Sequence, residues 1–200
     1  MRLLPYGERA VLVEVEDAAT VLGLCAAVSR AAGVLEAVPA ARTLLVRFDP
    51  LVTTADAVGH AVETGVGGPR AEPTPDPVEL TVRYDGPDLT TVAAEVGISV
   101  QELVGRHAAA AYTVAFCGFT PGFAYLTGLD LSLHVSRLAE PRTAVPPGSV
   151  GMAGGFTGVY PRSSPGGWRL LGSTEAQLWD AARLPPALLA PGTPVRFRPA

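Results

Sequence analysis

Arg142 stands in the run EPRTAVPPGS, with Ser149 and a glycine-rich turn directly behind it. A guanidinium fork beside free backbone N–H groups suits a carboxylate or a phosphate. The same arginine can equally serve the fold by bonding loop carbonyls. His107 closes the segment SVQELVGRHAAA. There an imidazolium favours the C-terminal dipole of a helix, the plainer of its two roles. The other role is that of a general base. Cys117 has no histidine near it in sequence, so the small apolar packing role outweighs the nucleophilic one. Asp85, in YDGPDL, reads as turn chemistry. Ser163 and Ser164 precede PGGW without any G-x-S-x-G context. His60 and His134 read as surface and loop positions. These residues do not form a complete catalytic set, which fits a chain whose active site is completed by another.

Composition narrows the chemistry further. All fifteen basic residues are arginine, and a lysine-free chain has no P-loop lysine, no Schiff base and no attachment point for biotin. The net charge of −4 offers no field for nucleic acid or an anionic membrane surface. Cys25 and Cys117 are too few for a disulfide framework or a zinc site, and no metal site is expected. The N-terminus does not read as a signal peptide, and no run reaches the roughly 20 apolar residues of a membrane span. The expected compartment is the cytoplasm.

Glycine and aromatic residues concentrate in one region. Eleven of the 22 glycines lie between Phe116 and Gly172, and nine of the 13 aromatics between Tyr112 and Trp179. Glycine admits close backbone approach and aromatics give rigid contact area, so GFTPGFAYL (118–126) together with SPGGW (164–168) reads as a binding surface. Single glycines there serve equally well as barrel corners.

The elements that must position these residues follow from pattern. AVLVEV (10–15) is a strand. DAATVLGLCAAVSRAAG (17–33) is a helix capped by Asp17 and ending near Gly33. VLEAVPA and TLLVRFD are strands, and a second helix starts at Thr53 or Thr54. This β-α-β-β-α order suits a small ferredoxin-like sheet. The Pro- and Gly-rich stretch 67–77 reads as a linker, giving an N-terminal α/β domain over 1–72 and a second domain over 78–200. The second domain opens with VELTVRYD and two short helices. Asp88 caps the first; Ser99 and Glu102 form a capping box on the next. Short strands broken by Gly and Pro then argue for a closed β-barrel or a sandwich.

GFTPGFAYLTGL, PRTAVPPGSVGMAGGFTGVYP, SPGGWRLLGST and LLAPGTPVRF, with the opening YGERAVLVEV, together resemble the carboxyltransferase C/D-type family. That family includes the B subunit of 5-oxoprolinase, the kinase inhibitor KipI and proteins once called allophanate hydrolase subunit 1. The resemblance spans essentially the whole chain. It implies an α+β protein: a small N-terminal ferredoxin-like α/β domain followed by a C-terminal cyclophilin-like β-barrel. It implies one subunit of an ATP-dependent 5-oxoprolinase, inactive alone, whose partners are the A-type and the carboxyltransferase-type C subunits of that enzyme. ATP with Mg²⁺ would serve the complex, with nothing bound covalently. The alternative is a KipI-like inhibitor of a sensor histidine kinase.

The site residues implied are His107 and Arg142 as catalytic, with Arg142 and the backbone around Gly148 to Gly155 holding an anion. Phe119, Pro121, Gly122, Phe123, Tyr125, Gly148, Ser149, Gly154, Thr157, Tyr160, Pro165, Gly166, Gly167 and Trp168 would contact substrate or partner. Three positions depart from the family pattern. Ser173 stands where an arginine is usual, Phe156 where a glutamine is, and Ser136 precedes Arg137 where a proline is.

Overall fold

The computed structural model describes residues 1–65 and 76–200. Chain contacts divide it into two compact units, Met1–Pro73 and Thr74–Ala200. The expected linker at 67–77 lies almost wholly outside the described residues.

In the first unit, strands β1 (Arg2–Pro5) and β2 (Ala10–Glu14) form a hairpin that sequence pattern missed, because RLLP is short and ends in proline. Helix α1 (Ala18–Val28) follows, with the Asp17 carboxylate accepting the Thr20 N–H at 2.8 Å as an N-cap. The helix stops five residues before Gly33. Ser29 Oγ donates to the Cys25 carbonyl at 2.6 Å, and the chain tightens into a turn there. Strands β3 (Val34–Pro39) and β4 (Thr43–Phe48) and helix α2 (Ala55–Gly65) complete the unit. The sheet is antiparallel throughout, in the order β1-β2-β4-β3. Val21, Leu24 and Val28 of α1 recur at helical spacing. They pack with Val58 and Val62 of α2 onto Val13, Leu44, Val46 and Phe48 of the sheet.

The second unit contains β5 (Val78–Val82), α3 (Leu89–Glu95), α4 (Val100–Ala109), β6 (Tyr112–Cys117), β7 (Ala124–Thr127), a 3-10 turn (Leu131–Leu133), β8 (Arg142–Val145), β9 (Ser149–Ala153), β10 (Phe156–Val159), β11 (Ser164–Gly166), β12 (Arg169–Ser173) and β13 (Pro194–Pro199). Seven of these strands form one sheet in the order β12-β9-β10-β7-β6-β13-β5, and β8 with β11 form a separate two-stranded ribbon. The sheet is nearly closed. Just past β5, Arg83 exchanges two N–H···O bonds of 2.9 Å with Ser173 at the end of β12. The chain then continues along β12: Gly86 N–H donates to Leu171 O at 3.0 Å and Asp88 N–H to Leu170 O at 3.1 Å.

Asp88 differs from its expected role. It stands at the N-cap of α3 but makes no capping bond. Its carboxylate instead accepts the Leu170 N–H at 2.7 Å and Arg142 Nη2 at 2.8 Å. A seam partner and an arginine outcompete the helix's own amides for its oxygens. Only half of the capping box on α4 forms. Ser99 accepts the Glu102 N–H, while the Glu102 side chain turns to Arg106.

The seam requires two glycines. A Cβ on Gly172 would lie 2.2 Å from the Arg83 carbonyl oxygen, and one on Gly86 would lie 2.3 Å from that of Leu170. Both obstacles are backbone, so a methyl group forces the strands apart. Gly172→Ala is expected to lower the unfolding free energy in urea by about 1–3 kcal/mol. Gly105→Ala, in α4 with open space around it, is expected to be neutral or mildly stabilising. Equal effects from the two substitutions would remove the seam's special status.

Candidate functional site

Strand alternation sorts the barrel's residues onto two faces. Ala124 and Leu126 of β7, Val150 and Met152 of β9 and Leu171 of β12 pack into the barrel core. Their neighbours Phe123, Tyr125, Ala153 and Leu170 face the other way. There they join Tyr160, Trp168, Phe156 and Val145 of the ribbon in a second, aromatic cluster.

Phe123 lies at the centre of that cluster. Its ring meets Tyr125 at 5.1 Å, Tyr160 at 5.2 Å, Trp168 at 5.4 Å and Phe119 at 5.5 Å, all edge to face. Tyr125 stacks on Phe116 at 4.3 Å and meets Phe156 edge-on at 5.8 Å. Edge-to-face packing is the geometry that ring quadrupoles favour. Phe123, Tyr160 and Trp168 are buried, whereas Phe119 is 59% exposed. Phe119 also has φ +66°, and among the described residues no other non-glycine has a positive φ. A bulky side chain held in that region stores strain of a kind that gathers at functional sites. The turn carrying it is closed by Gly118 N–H to Phe123 O, Thr120 N–H to Gly118 O and Phe123 N–H to Thr120 O.

The expected contact residues of GFTPGFAYL and SPGGW therefore share one region. Phe119, Pro121, Gly122, Phe123 and Tyr125 come from the turn between β6 and β7 and from β7. Pro165, Gly166, Gly167, Trp168 and Tyr160 come from around the ribbon. Gly166 is needed there because a Cβ would lie 2.3 Å from the Tyr160 hydroxyl. Burial raises the Tyr160 phenol's pKa, opposed by the Trp168 backbone N–H and the nearby charge of Arg137. Phe116 and Phe156 extend the wall, and nothing in the sequence pattern assigns either to the site. The phenylalanine standing where the family often has glutamine is thus an apolar wall residue.

His107 and Thr157 sit on the opposite face, inside the barrel, and both are fully buried. His107 Nε2 is 2.9 Å from Thr157 Oγ1, which donates onward to the Gly151 carbonyl at 3.3 Å. Nδ1 is 2.8 Å from the Tyr84 hydroxyl. This assigns the neutral Nε2–H tautomer, with Nδ1 accepting from Tyr84. The ring stacks on Phe197 at 4.9 Å. Burial lowers the His107 pKa to about 3, so it brings no charge to the end of α4 at neutral pH. Burial raises the Tyr84 and Tyr112 phenols.

Arg142 lies at the barrel seam. Its guanidinium bonds the buried Asp88 carboxylate at 2.8 Å and the Trp168 carbonyl at 3.4 Å. The nearby backbone donors are also engaged: Gly148 N–H with Tyr160 O at 2.7 Å, Ser149 N–H with Pro146 O at 3.3 Å and Gly154 N–H with Val135 O at 2.8 Å. Cys117 Sγ donates to the Leu189 carbonyl at 3.3 Å, and burial raises its pKa. Two open clefts of about 420 and 300 Å³ lie in the first unit. The smaller is lined by Asp56, His60 and Glu63 among apolar neighbours. Among the described residues no cluster of acidic, histidine or cysteine side chains suits a metal ion.

A nearly closed barrel with an aromatic outer face, in a chain that also carries an antiparallel α/β unit, matches a known domain. The family model for the carboxyltransferase domain, subdomain C and D, covers residues 1–189, and the chain belongs to that family. It is similar to a protein of Escherichia coli O157:H7 named as the B subunit of 5-oxoprolinase. The two are 40% identical over 203 residues, covering 96% of this chain and 93% of that one. A protein of the same name in Haemophilus influenzae is 45% identical over 123 residues, 60% of this chain and 58% of that one. Among solved structures, TTHA0988 superposes with a TM-score of 0.82 at 38% identity. It covers 96% of this chain, which spans only 40% of the longer TTHA0988 chain.

Two measurements separate structure from chemistry here. Arg142→Ala leaves the Asp88 carboxylate buried and unpaired, and is expected to cost about 3 kcal/mol in urea unfolding. Adding Asp88→Asn should recover part of that loss; a double variant no better than the single would break the assigned pairing. For His107, the folded pKa near 3 lies below the ordinary value of 6.5. Between those values the unfolded chain binds a proton that the folded chain refuses, so stability falls as pH drops below about 6.5. From pH 7.5 to pH 5 this histidine should account for roughly 2 kcal/mol of lost stability. His107→Gln should remove that component in matched unfolding curves, and a variant with the wild-type pH slope would refute it.

Proposed function

We propose that this chain is the B subunit of an ATP-dependent 5-oxoprolinase, which opens 5-oxo-L-proline to L-glutamate. The observation that carries the reading is the 40% identity over 96% of the chain to a protein of that name, itself covered over 93% of its length. A lactam amide is a weak electrophile, and ATP supplies the phosphoryl group that activates its oxygen. This chain has no lysine and hence no P-loop. ATP and Mg²⁺ serve the complex assembled with the A- and C-type partners, in the cytoplasm. The isolated chain is inactive.

The aromatic cluster around Phe123, with the exposed Phe119 at its edge, is the contribution of this chain to the shared site. Tyr125, Tyr160 and Trp168 belong to it. Arg142 and His107 act through the scaffold: one holds the seam beside Trp168, and the other holds the barrel interior behind the cluster. The domains run over 1–72 and 78–200, a reading supported by the division between Pro73 and Thr74. The four-stranded sheet with α1 and α2 is read as ferredoxin-like and the barrel as cyclophilin-like. The kinase-inhibitor alternative is not favoured, since the curated relatives carry the oxoprolinase name.

The test is glutamate release from 5-oxoproline and Mg-ATP by this protein mixed with its A- and C-type partners, each omitted in turn. Turnover is expected only with all three. Full activity without this chain would sink the proposed role and send the aromatic cluster to a kinase-binding assay.

A further inference from the structure

YGERAVLVEV is the motif of the first unit that carries the family resemblance, and neither the seam nor the aromatic cluster uses it. Tyr6, Glu8, Arg9 and Ala10 of that motif, with Leu45 and Arg47 of β4, line the cleft of about 420 Å³. The pleat explains the grouping. Val11, Val13, Leu44, Val46 and Phe48 pack with α1 and α2. Ala10 and its cross-strand partner Arg47 therefore lie on the sheet's other face, together with Leu45. Backbone bonds preset the turn: Tyr6 N–H donates to Ala10 O at 3.0 Å and Phe48 N–H to Arg9 O at 2.9 Å.

Charge sets what this cleft accepts. Among the described residues the Glu8 and Arg9 side chains have no hydrogen-bond or ion-pair partner, and both residues are exposed. Arg47 gives Nη1 to Glu36 at 2.7 Å and keeps its other N–H donors, since a guanidinium has five. Leu45, Ala10 and the Tyr6 ring supply the apolar part of the lining.

We propose that this cleft is a binding site for an acidic α-amino acid, with L-glutamate as its ligand. Two guanidinium groups and one carboxylate are the complement of two carboxylates and one ammonium. Arg9 and Arg47 take the carboxylates, Glu8 takes the ammonium, and the methylene chain lies on Leu45. The choice of glutamate within this class rests on the oxoprolinase reading, in which it is the product. 5-Oxoproline has one carboxylate and no ammonium, so Glu8 and one arginine find no partner in it. The cleft thus tells product from substrate.

Titration calorimetry of the full chain tests this without partners or turnover. L-Glutamate is expected to bind with a Kd on the order of 1 mM, as suits a few exposed charge-assisted bonds. 5-Oxoproline and glutarate, the dicarboxylate without the ammonium, should each bind about ten-fold more weakly. Arg9→Gln should weaken glutamate about ten-fold. Glu8→Gln should weaken glutamate but not glutarate, a split that a general loss of structure does not give. Absence of saturable glutamate binding overturns the proposal. Glutarate binding as tightly as glutamate overturns it in favour of a plain anion site. Wild-type affinity in Arg9→Gln overturns it by placing the glutamate elsewhere. The oxoprolinase reading is judged separately: turnover without glutamate binding sinks only the cleft, and glutamate binding without turnover sinks only the subunit role.

Discussion

The closure of the barrel between Arg83 and Ser173 is the constraint on which the second unit depends. An open seven-stranded sheet would leave two edges of unpaired backbone groups, β5 on one side and β12 on the other. The chain joins them with two hydrogen bonds of 2.9 Å and then lays residues 86 to 88 along β12. Glycine at 86 and 172 lets the backbones approach, and Asp88 gathers the Leu170 amide and Arg142 into the joint. Because Arg142 begins β8, the same joint holds the ribbon that lies over the aromatic cluster. Closure and the packing of the aromatic cluster are therefore one mechanical problem. The short range of each contact makes it intolerant of added atoms.

The two faces of the sheet divide the polar and aromatic residues between distinct tasks. Inside, the chain from Tyr84 through His107 and Thr157 to the Gly151 carbonyl satisfies every member, so a histidine resides in an apolar core without charge. Outside, rings pack edge to face under the ribbon and reach solvent at Phe119. Thr157 and Phe156 are adjacent in sequence yet belong to different sides of the sheet, as the pleat dictates.

Much of this was legible in the sequence. Helix caps at Asp17 and Ser99 are local signals, and the structure places both where the spacing predicts. The crowding of glycine and aromatic residues after Tyr112 correctly marked residues that gather in space. Asp88 was not legible, because its partners Leu170 and Arg142 lie 82 and 54 residues away and no local pattern encodes them. His107 was half legible: its position at a helix end is local, but its burial is tertiary. Strand β1 is too short to carry a period of its own, and Arg2 to Pro5 pair only because β2 offers an edge. The strain at Phe119 could not be read either, since backbone φ is set by the turn closing around it.

The placement of the two tryptophans gives the second unit an optical character. Trp168 is 4% exposed and meets Phe123 and Tyr125 within 5.5 Å, whereas Trp179 is 39% exposed and packs beside Gly122 at the base of the Phe119 turn. One indole therefore emits from a dry, tyrosine-fed environment and the other from a wet one. The blue component of the intrinsic fluorescence reports whether the ribbon stays seated on the barrel. The red, iodide-quenchable component reports on the surroundings of the exposed turn, so the core and the turn can be followed separately in one spectrum without a label.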